Sequence, residues 1–565
     1  MKPSNICILN FKILLLLVFL FPAAAIGQAE YVRVDNPVYN FLERMGALNI
    51  ITGYNKFEIP KTRKEVAGYL KQAAAEIGSL DYVDKNIIRD FYIEFQPEWG
   101  NASEDSLVNT QSLIGKGEYH LFSQNEKYLF FHSDTARFNI YVNLISEGEM
   151  IFHNDDISGR NLSTAHGYIG GEIRGTVLNK FGFYMRGMQG KVLGNTEAAR
   201  LRKEIEYNFK YNLQPDEAFY DETEGYITAD FDLVKFKLGR DRMNIGYGHI
   251  KPILGSNSPM FDYLSLKLNY EFFSFSFFHG KLLGTSSLES DPVTGEVNVV
   301  QEKYLAYHRI GFDISKHINF GIGELVVYGD RSIDLSYLNP FSFYKSIEHA
   351  NQDRDNSMLF FDINNNSIEG LDLYSTLIID DISYGKIGSG WWANQTLFNL
   401  GLYSANLYNI LPLDVRFDYY RIEPYTFTHR LLRNNYTSQG YNLSSELQPN
   451  SEVFFWQFSY RFNYRLSAEI GFQYAVHGAN PLDDAGNVIK NVGGDISLGH
   501  RSFDSDSVSF LDGELEYKRN ITFSLTYEPV NQIIFRLFAE LKNEHRQASV
   551  RIKEINTFLT LALKL

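Results

Sequence analysis

The chain has 565 residues, one cysteine and a formal charge of −15, which excludes a disulfide scaffold, thiolate–zinc sites, thiol catalysis and a nucleic-acid-binding surface. Aromatic residues make up 15% of it, 37 Tyr and 44 Phe among them. Such a length would ordinarily divide into several domains, but a large barrel exceeds the single-core limit, so the domain count has to come from patterning.

Residues 1–27 read as a cleaved signal peptide. Lys2 and Lys12 stand ahead of an apolar run from Ile13 to Phe21, and small residues follow it; the run is too short and wrongly flanked for a lasting membrane helix. Ala25-Ile26-Gly27 supplies small side chains at the last and third-last positions, so the mature chain is expected to begin at Gln28. Cleavage removes Cys7 and takes the charge from −15 to −17 by loss of Lys2 and Lys12.

Residues 28–100 carry the only helical patterning. Val38, Phe41, Leu42 and Met45 follow Pro37 at helical spacing and end near Gly46. Thr62 and Glu65 have capping-box spacing, and Val66, Tyr69, Leu70 and Ala73 form one face of a second helix. A third is predicted from about Tyr82 to Phe91. Together they read as a small periplasmic helical section.

From about Lys127 to the end of the chain the period is two, within a barrel predicted over 101–565. Phe138, Ile140, Val142 and Leu144 alternate with Arg137, Asn139, Tyr141 and Asn143, a strand wetted on one side. Leu264, Leu266 and Leu268 alternate with Ser265, Lys267 and Asn269; the phase slips at Glu271-Phe272, which predicts a tight hairpin. Leu413 to Tyr420, Phe454 to Asn463 and Leu559 to Leu565 repeat the pattern. Apolar faces suited to the roughly 9–11 residues of a barrel crossing, aromatic residues at strand ends and an alternating final strand favour a closed membrane barrel over a soluble sandwich. Lipid leaves unpaired backbone groups unsatisfied, so closure is required. At roughly 25 residues per strand and connection, the section holds about 16–20 strands. The fold class is therefore all-β transmembrane, a large antiparallel outer-membrane β-barrel with a small helical section before it.

Several phrases, in order, resemble the Wzi capsule-assembly family in its Bacteroidetes form. They are GGEIRG with KFGFY (Gly170 to Tyr184), GYITADFDLVKFKLGRDRMNIGYGH (Gly225 to His249), YLAYHRIGFDISKHINFGIGELVVYG (Tyr304 to Gly329), LSYLNPFSFY (Leu335 to Tyr344), Asp380-Asp381, WWANQ (Trp391 to Gln395) and RIEPYTFTH (Arg421 to His429). The helical start from Pro37 to Leu70 is similar too. The resemblance implies eighteen strands, plug-forming loops and a surface lectin that helps assemble or anchor capsule or exopolysaccharide, with no reaction. It implies surface polysaccharide as partner, in a setting of outer-membrane lipid and lipopolysaccharide, with the barrel-assembly machinery acting during insertion. The chain departs from the family at Leu443 to Asn450, LSSELQPN, where a His-Pro-Leu-Gly-Ala-Asn-like stretch is usual, and at terminal Leu565, where many barrels have Phe.

Sugar recognition needs planar hydrogen-bonding groups beside aromatic faces, because a pyranose presents fixed hydroxyls around an apolar C–H patch. Three clusters have that composition: Arg240, Asp241, Arg242, Asn244, Tyr247 and His249 among glycines; Arg331, Tyr337, Asn339, Phe341 and Tyr344; and Trp391, Trp392 and Asn394. Arg240, Arg242 and Arg331 are candidates for a patch that attracts acidic polymers despite the net charge. The bland alternative for each residue is a lumen ladder, a bend or a girdle aromatic.

Catalysis is not expected. His500 with Ser502 or Ser507 has no glycine-flanked nucleophile turn, and Asp380 and Asp381, adjacent on a strand, point to opposite faces and cannot flank one glycosidic bond. Sparse histidines without metal-ligand spacing predict no metal site and no cofactor; calcium at Asp353 and Asp355 has no further support. The rival readings are a porin-like diffusion channel and an adhesion- or gliding-associated surface protein of the same family.

Overall fold

The computed structural model describes residues 29–98, 111–112, 126–134, 138–210, 217–293, 295–444, 447–546 and 549–565. The signal-peptide reading lies outside them. Eighteen antiparallel strands close a barrel. In chain order they are β1 Phe138–Asp155, β2 Arg160–Val177, β3 Phe181–Gly194, β4 Glu217–Asp230, β5 Val234–Asp241 and β6 Phe261–Tyr270. Next come β7 Phe273–Asp291, β8 Gly295–Ser315, β9 Ile318–Gly329, β10 Asn356–Ile368, β11 Leu371–Asp381 and β12 Gln395–Ser404. The last six are β13 Leu413–Ile422, β14 Ser451–Asn463, β15 Leu466–Ala479, β16 Glu514–Val530, β17 Ile533–Arg546 and β18 Ser549–Lys564. The seam pairs β18 with β1 from Glu554↔Asp155 to Lys564↔Ile145, so the sheet has no free edge to leave unpaired in lipid.

The alternation read from the sequence maps onto the two faces of the wall. Phe138 and Leu144 are exposed while Asn139, Tyr141 and Asn143 are buried inside. Phe398, Leu400, Phe458, Phe462, Ile470 and Phe472 continue the outward apolar surface. Glu271, at φ 49°, and Phe272 form the tight turn between β6 and β7.

Connections are short at one end and long at the other. Two-residue turns join β6 to β7, β8 to β9, β10 to β11, β14 to β15 and β16 to β17, whereas residues 242–260, 330–355, 423–450 and 480–513 form long loops. Short turns mark the periplasmic end of such barrels and long loops the outer end.

Three helices close the short-turn end: α1 Val38–Ala47, α2 Arg63–Ala75 and α3 Tyr82–Phe95. The Thr62–Glu65 capping box is present, and α3 outruns its predicted end because Ile93 and Phe95 continue its buried face. Val38, Leu42, Val66, Leu70, Ile88 and Phe91 share one core. The cap docks on the barrel through the Gly370 amide, which donates to the Ala47 carbonyl at 2.7 Å, and through Arg44, which reaches Asp84 at 3.1 Å, Asn406 at 2.7 Å and Asp414.

The lumen is filled from both ends. The segment after α1 pairs with the β5–β6 loop, Glu58↔Ile245 and Ile59↔Asn244, and the Gly246 amide donates to the Phe57 carbonyl at 2.8 Å. Fully buried Phe57 packs on Tyr247, ring centroids 5.0 Å apart, and on Phe360. Gly248 has φ 88°, and a Cβ there would lie 2.2 Å from the Tyr420 hydroxyl, so only glycine lets the loop pass this close to the wall. Leu443 and Leu447, from the stretch that departs from the family, belong to the same core. We expect no stable ohmic openings from the full-length barrel in a planar bilayer. Tyr247→Ala should cost about 3–5 kcal/mol, read as a lower unfolding midpoint, and should introduce flickering conductance.

The β9–β10 loop is not a plug. Arg309 pairs with Asp362 at 2.8 Å and lies over Phe57, which fixes that parity of the wall as inward. His308, Glu324, Val326 and Tyr328 therefore face outward, and residues 330–355 lie over them as a strap on the outer wall. The Tyr344 amide donates to Glu324 at 2.8 Å, the Tyr344 ring lies 4.4 Å from His308, and Tyr337 packs 5.1 Å from Tyr328. An outward carboxylate is costly against lipid; the strap covers Glu324 and gives it backbone donors.

Candidate functional site

The three sequence clusters meet three different fates. The first forms the plug. Arg242 donates to the Ser256 carbonyl at 2.6 Å and to Glu222 at 2.7 Å, Asp241 accepts from Lys237 and Tyr263, and Asn244 accepts from the Ser256 amide at 2.6 Å. Tyr247 is fully buried and donates to Asp362 at 3.3 Å; His249 stacks on Phe455 at 3.9 Å. The glycines here admit neighbouring side chains, and the stretch packs within the lumen as part of the plug. Arg240 is partly open, 3.5 Å from Asp262, and His249 is exposed.

The second cluster belongs to the outer strap. Arg331 bonds Asp355 at 2.7 Å and Asp334 at 3.2 Å, and buried Tyr337 donates to Asp355 at 2.8 Å. Asn339 is exposed and accepts from the Phe341 amide at 3.2 Å. Arg331 lies at the rim, and Tyr337, Phe341 and Tyr344 lie on the flank of the barrel instead of in its mouth. Arg240 and Arg242 stand four strands from β9 around the ring, so the three arginines proposed as one patch are not brought together. Asp355, engaged by Arg331 and Tyr337, has no calcium-like company; among the described residues no group of three or more His, Cys, Asp or Glu converges.

The third cluster lies at the mouth. The β11–β12 loop, 382–394, runs beside the β15–β16 loop: Trp391 bridges Ser507, the Trp392 amide donates to the Asp506 carbonyl at 3.1 Å, and the Val508 amide to the Gly390 carbonyl at 2.7 Å. Trp392 stacks on His500 with centroids 4.0 Å apart and planes 9° from parallel, and both rings abut buried Tyr425. Trp391 lies 6.2 Å from Trp392, with the Lys386 ammonium over its face. Asn394 is bound inward, donating to the Lys386 carbonyl at 2.8 Å. Tyr384 and Phe503, on the same two loops, are 80% and 75% exposed. The result is an aromatic platform on three loops, with a cation over one ring, at the mouth above the plug. Sequence reasoning missed His500 as part of it, having weighed that residue only as a catalytic base; its ring nitrogen meets the Ser505 carbonyl at 3.3 Å.

Comparison with known proteins places the chain. The family model described as capsule assembly protein Wzi matches residues 163–531. The chain belongs to the Wzi capsule-assembly family. Among solved structures it is similar to Wzi of Escherichia coli, described as an outer membrane protein involved in group 1 capsule assembly and a carbohydrate-binding β-barrel. That likeness has 11% identity and a TM-score of 0.56 and covers 95% of this chain and 99% of that one. Two further likenesses are OccAB2 of Acinetobacter baumannii (9% identity, TM-score 0.45, 75% and 98% covered) and OprD of Pseudomonas aeruginosa (10%, 0.42, 75% and 93%). None of the curated proteins matches in sequence. This member of the Wzi family is an outer-membrane β-barrel whose helical section, plug and loop platform are laid out along one axis.

Proposed function

We propose that this barrel is a surface lectin: it binds polysaccharide on its loop platform and holds it at the cell surface during capsule or exopolysaccharide assembly. The observation that carries the reading is the Trp391–Trp392–His500 platform at a mouth whose lumen holds a packed plug. Flat rings suit the C–H face of a sugar, and a plugged barrel suits retention better than passage. Membership of a capsule-assembly family supports the same biology, as does the carbohydrate binding attributed to the Escherichia coli protein of the same fold.

The test is retention of polymer by cells. Deleting the gene is expected to move surface polysaccharide from the cell-bound to the shed fraction; wild type restores retention, and the Trp391→Ala/Trp392→Ala pair does not, at equal barrel abundance. Unchanged retention in the deletion strain would contradict the capsule role, and full rescue by the double variant would contradict the platform.

A further inference from the structure

At the outer rim, where β9 ends and the strap begins, a cavity of about 90 Å³ is lined by Gly329, Asp330, Arg331, Arg354, Arg433 and Asn434. Three guanidinium groups converge there in a protein of net charge −15, with Asp330 as the lining carboxylate, 3.0 Å from Arg433. Arg331 is also bound to Asp355 and Asp334. Arg354 is exposed and, among the described residues, has no ion pair of its own. Lys303, which pairs with Gly329 across the strands, points its amine at Asn435 and Thr437 beside the cavity.

Three polar atoms around this cavity are buried without partners: Nε of Arg331, Nε of Arg433 and Oδ1 of Asn434. Asn434 is 1% exposed, and its amide nitrogen is committed to the Arg354 carbonyl at 2.6 Å, which fixes the orphan oxygen as an acceptor. Buried polar groups are normally satisfied. The cavity therefore suits a ligand that is anionic and also carries hydroxyl donors.

The strap supplies an independent observation about the rest of that ligand. It leaves the rim at Arg331 and descends the outer wall as far as Phe275, on which Phe341 stacks at 5.1 Å. Phe341, Phe343 and Leu335 are 72%, 59% and 77% exposed on this flank, facing away from the lumen. An arginine cavity at the rim above an apolar strip on the flank matches a lipid with an anionic sugar head.

We propose that Arg331, Arg354, Arg433 and Asn434 form a site for an anionic glycolipid of the outer leaflet. Phosphate or carboxylate on the headgroup meets the guanidinium groups, a sugar hydroxyl donates to Asn434, and an acyl chain lies along Phe341 and Phe343. The site anchors the strap to the leaflet independently of polysaccharide binding.

The experiment is native mass spectrometry of the full-length barrel in detergent, with bisphosphorylated lipid A, its dephosphorylated form, phosphatidylethanolamine and soluble oligogalacturonate as probes. Wild type is expected to retain one lipid A with at least tenfold preference over the dephosphorylated lipid and phosphatidylethanolamine. Arg354→Gln/Arg433→Gln should abolish the preference, and Phe341→Ser/Phe343→Ser should lower lipid A retention. Arg354→Glu, at an exposed position outside the ion pairs described, gives the same reading if the double variant fails to fold. Equal retention of phosphorylated and dephosphorylated lipid, undiminished preference in Arg354→Glu, or displacement of lipid A by equimolar oligogalacturonate would overturn the proposal; the last would assign the cavity to an acidic polymer. None of these outcomes touches the Trp391–Trp392 platform, so the lectin reading stands or falls separately.

Discussion

Replacing Trp392 by Ala is expected to weaken polysaccharide binding about tenfold, or about 1.4 kcal/mol, while leaving the barrel folded. The indole stacks on His500 and abuts Tyr425, so its removal takes away a face and also frees the imidazole that the face holds. A well-placed aromatic contact is worth about 0.5–1.5 kcal/mol beyond its buried area, and the ligand loses its share of that area too. Trp391→Ala should add to the loss, because the Lys386 ammonium then has no ring to lie over. Binding of the purified polymer to immobilised barrel measures the change, and an unaltered shift on heating before electrophoresis shows that the wall is intact. Wild-type affinity in the double variant would move the binding surface elsewhere.

The largest structural effect is expected at Arg44, in the helical cap. Its side chain is 5% exposed and faces Asp84 and Asp414, both 3% exposed, with Asn406 completing the set. Arg44→Ala leaves buried Asp84 without its cation and Asp414 with Arg461 alone, a loss of about 3–5 kcal/mol. The sign of its pH dependence follows from Asp84. Burial raises that carboxyl above its ordinary pKa, and Arg44 opposes the rise. A carboxyl raised in the folded state costs stability above its folded pKa, and the cost vanishes below the unfolded value of about 3.9. Without Arg44 the rise is larger, so the destabilisation is greatest at neutral pH and shrinks on acidification. Amide exchange over residues 38–95 reads it directly: protection should fall by about two to four orders of magnitude at pH 7 and by much less near pH 4. Equal loss at both values would show that lost packing, not stranded charge, is responsible.

The wall and the cap were legible because their signals are local. Period two assigns Leu264, Leu266 and Leu268 to lipid, the slip at Glu271-Phe272 marks a turn, and Thr62 with Glu65 starts a helix; each rests on neighbours in sequence. The resemblance implied a plug but not its residues, because Phe57 and Tyr247 meet across the lumen and neither residue's surroundings announce the other. Glycines at 246 and 248 read equally well as room for a ligand or room for Pro252 and Tyr420, and the structure chose the latter. The strap carried a signal that composition hid. Glu324 and His308 fall on the lipid face of otherwise apolar strands, an anomaly that calls for a cover, and Tyr337 and Tyr344 supply it. Arg354 and Arg433 had no local pattern at all; only closure of the rim brings them to Arg331.

The account turns on the mouth holding polymer above a closed lumen. Its most direct test is equilibrium binding of surface polysaccharide, extracted from the producing cells, to the refolded full-length barrel, with conductance recorded on the same preparation. Saturable binding that Trp391→Ala/Trp392→Ala reduces at least tenfold, without ohmic openings, is the predicted result. No binding by a folded barrel that instead gives stable ohmic openings would contradict it and identify a diffusion channel.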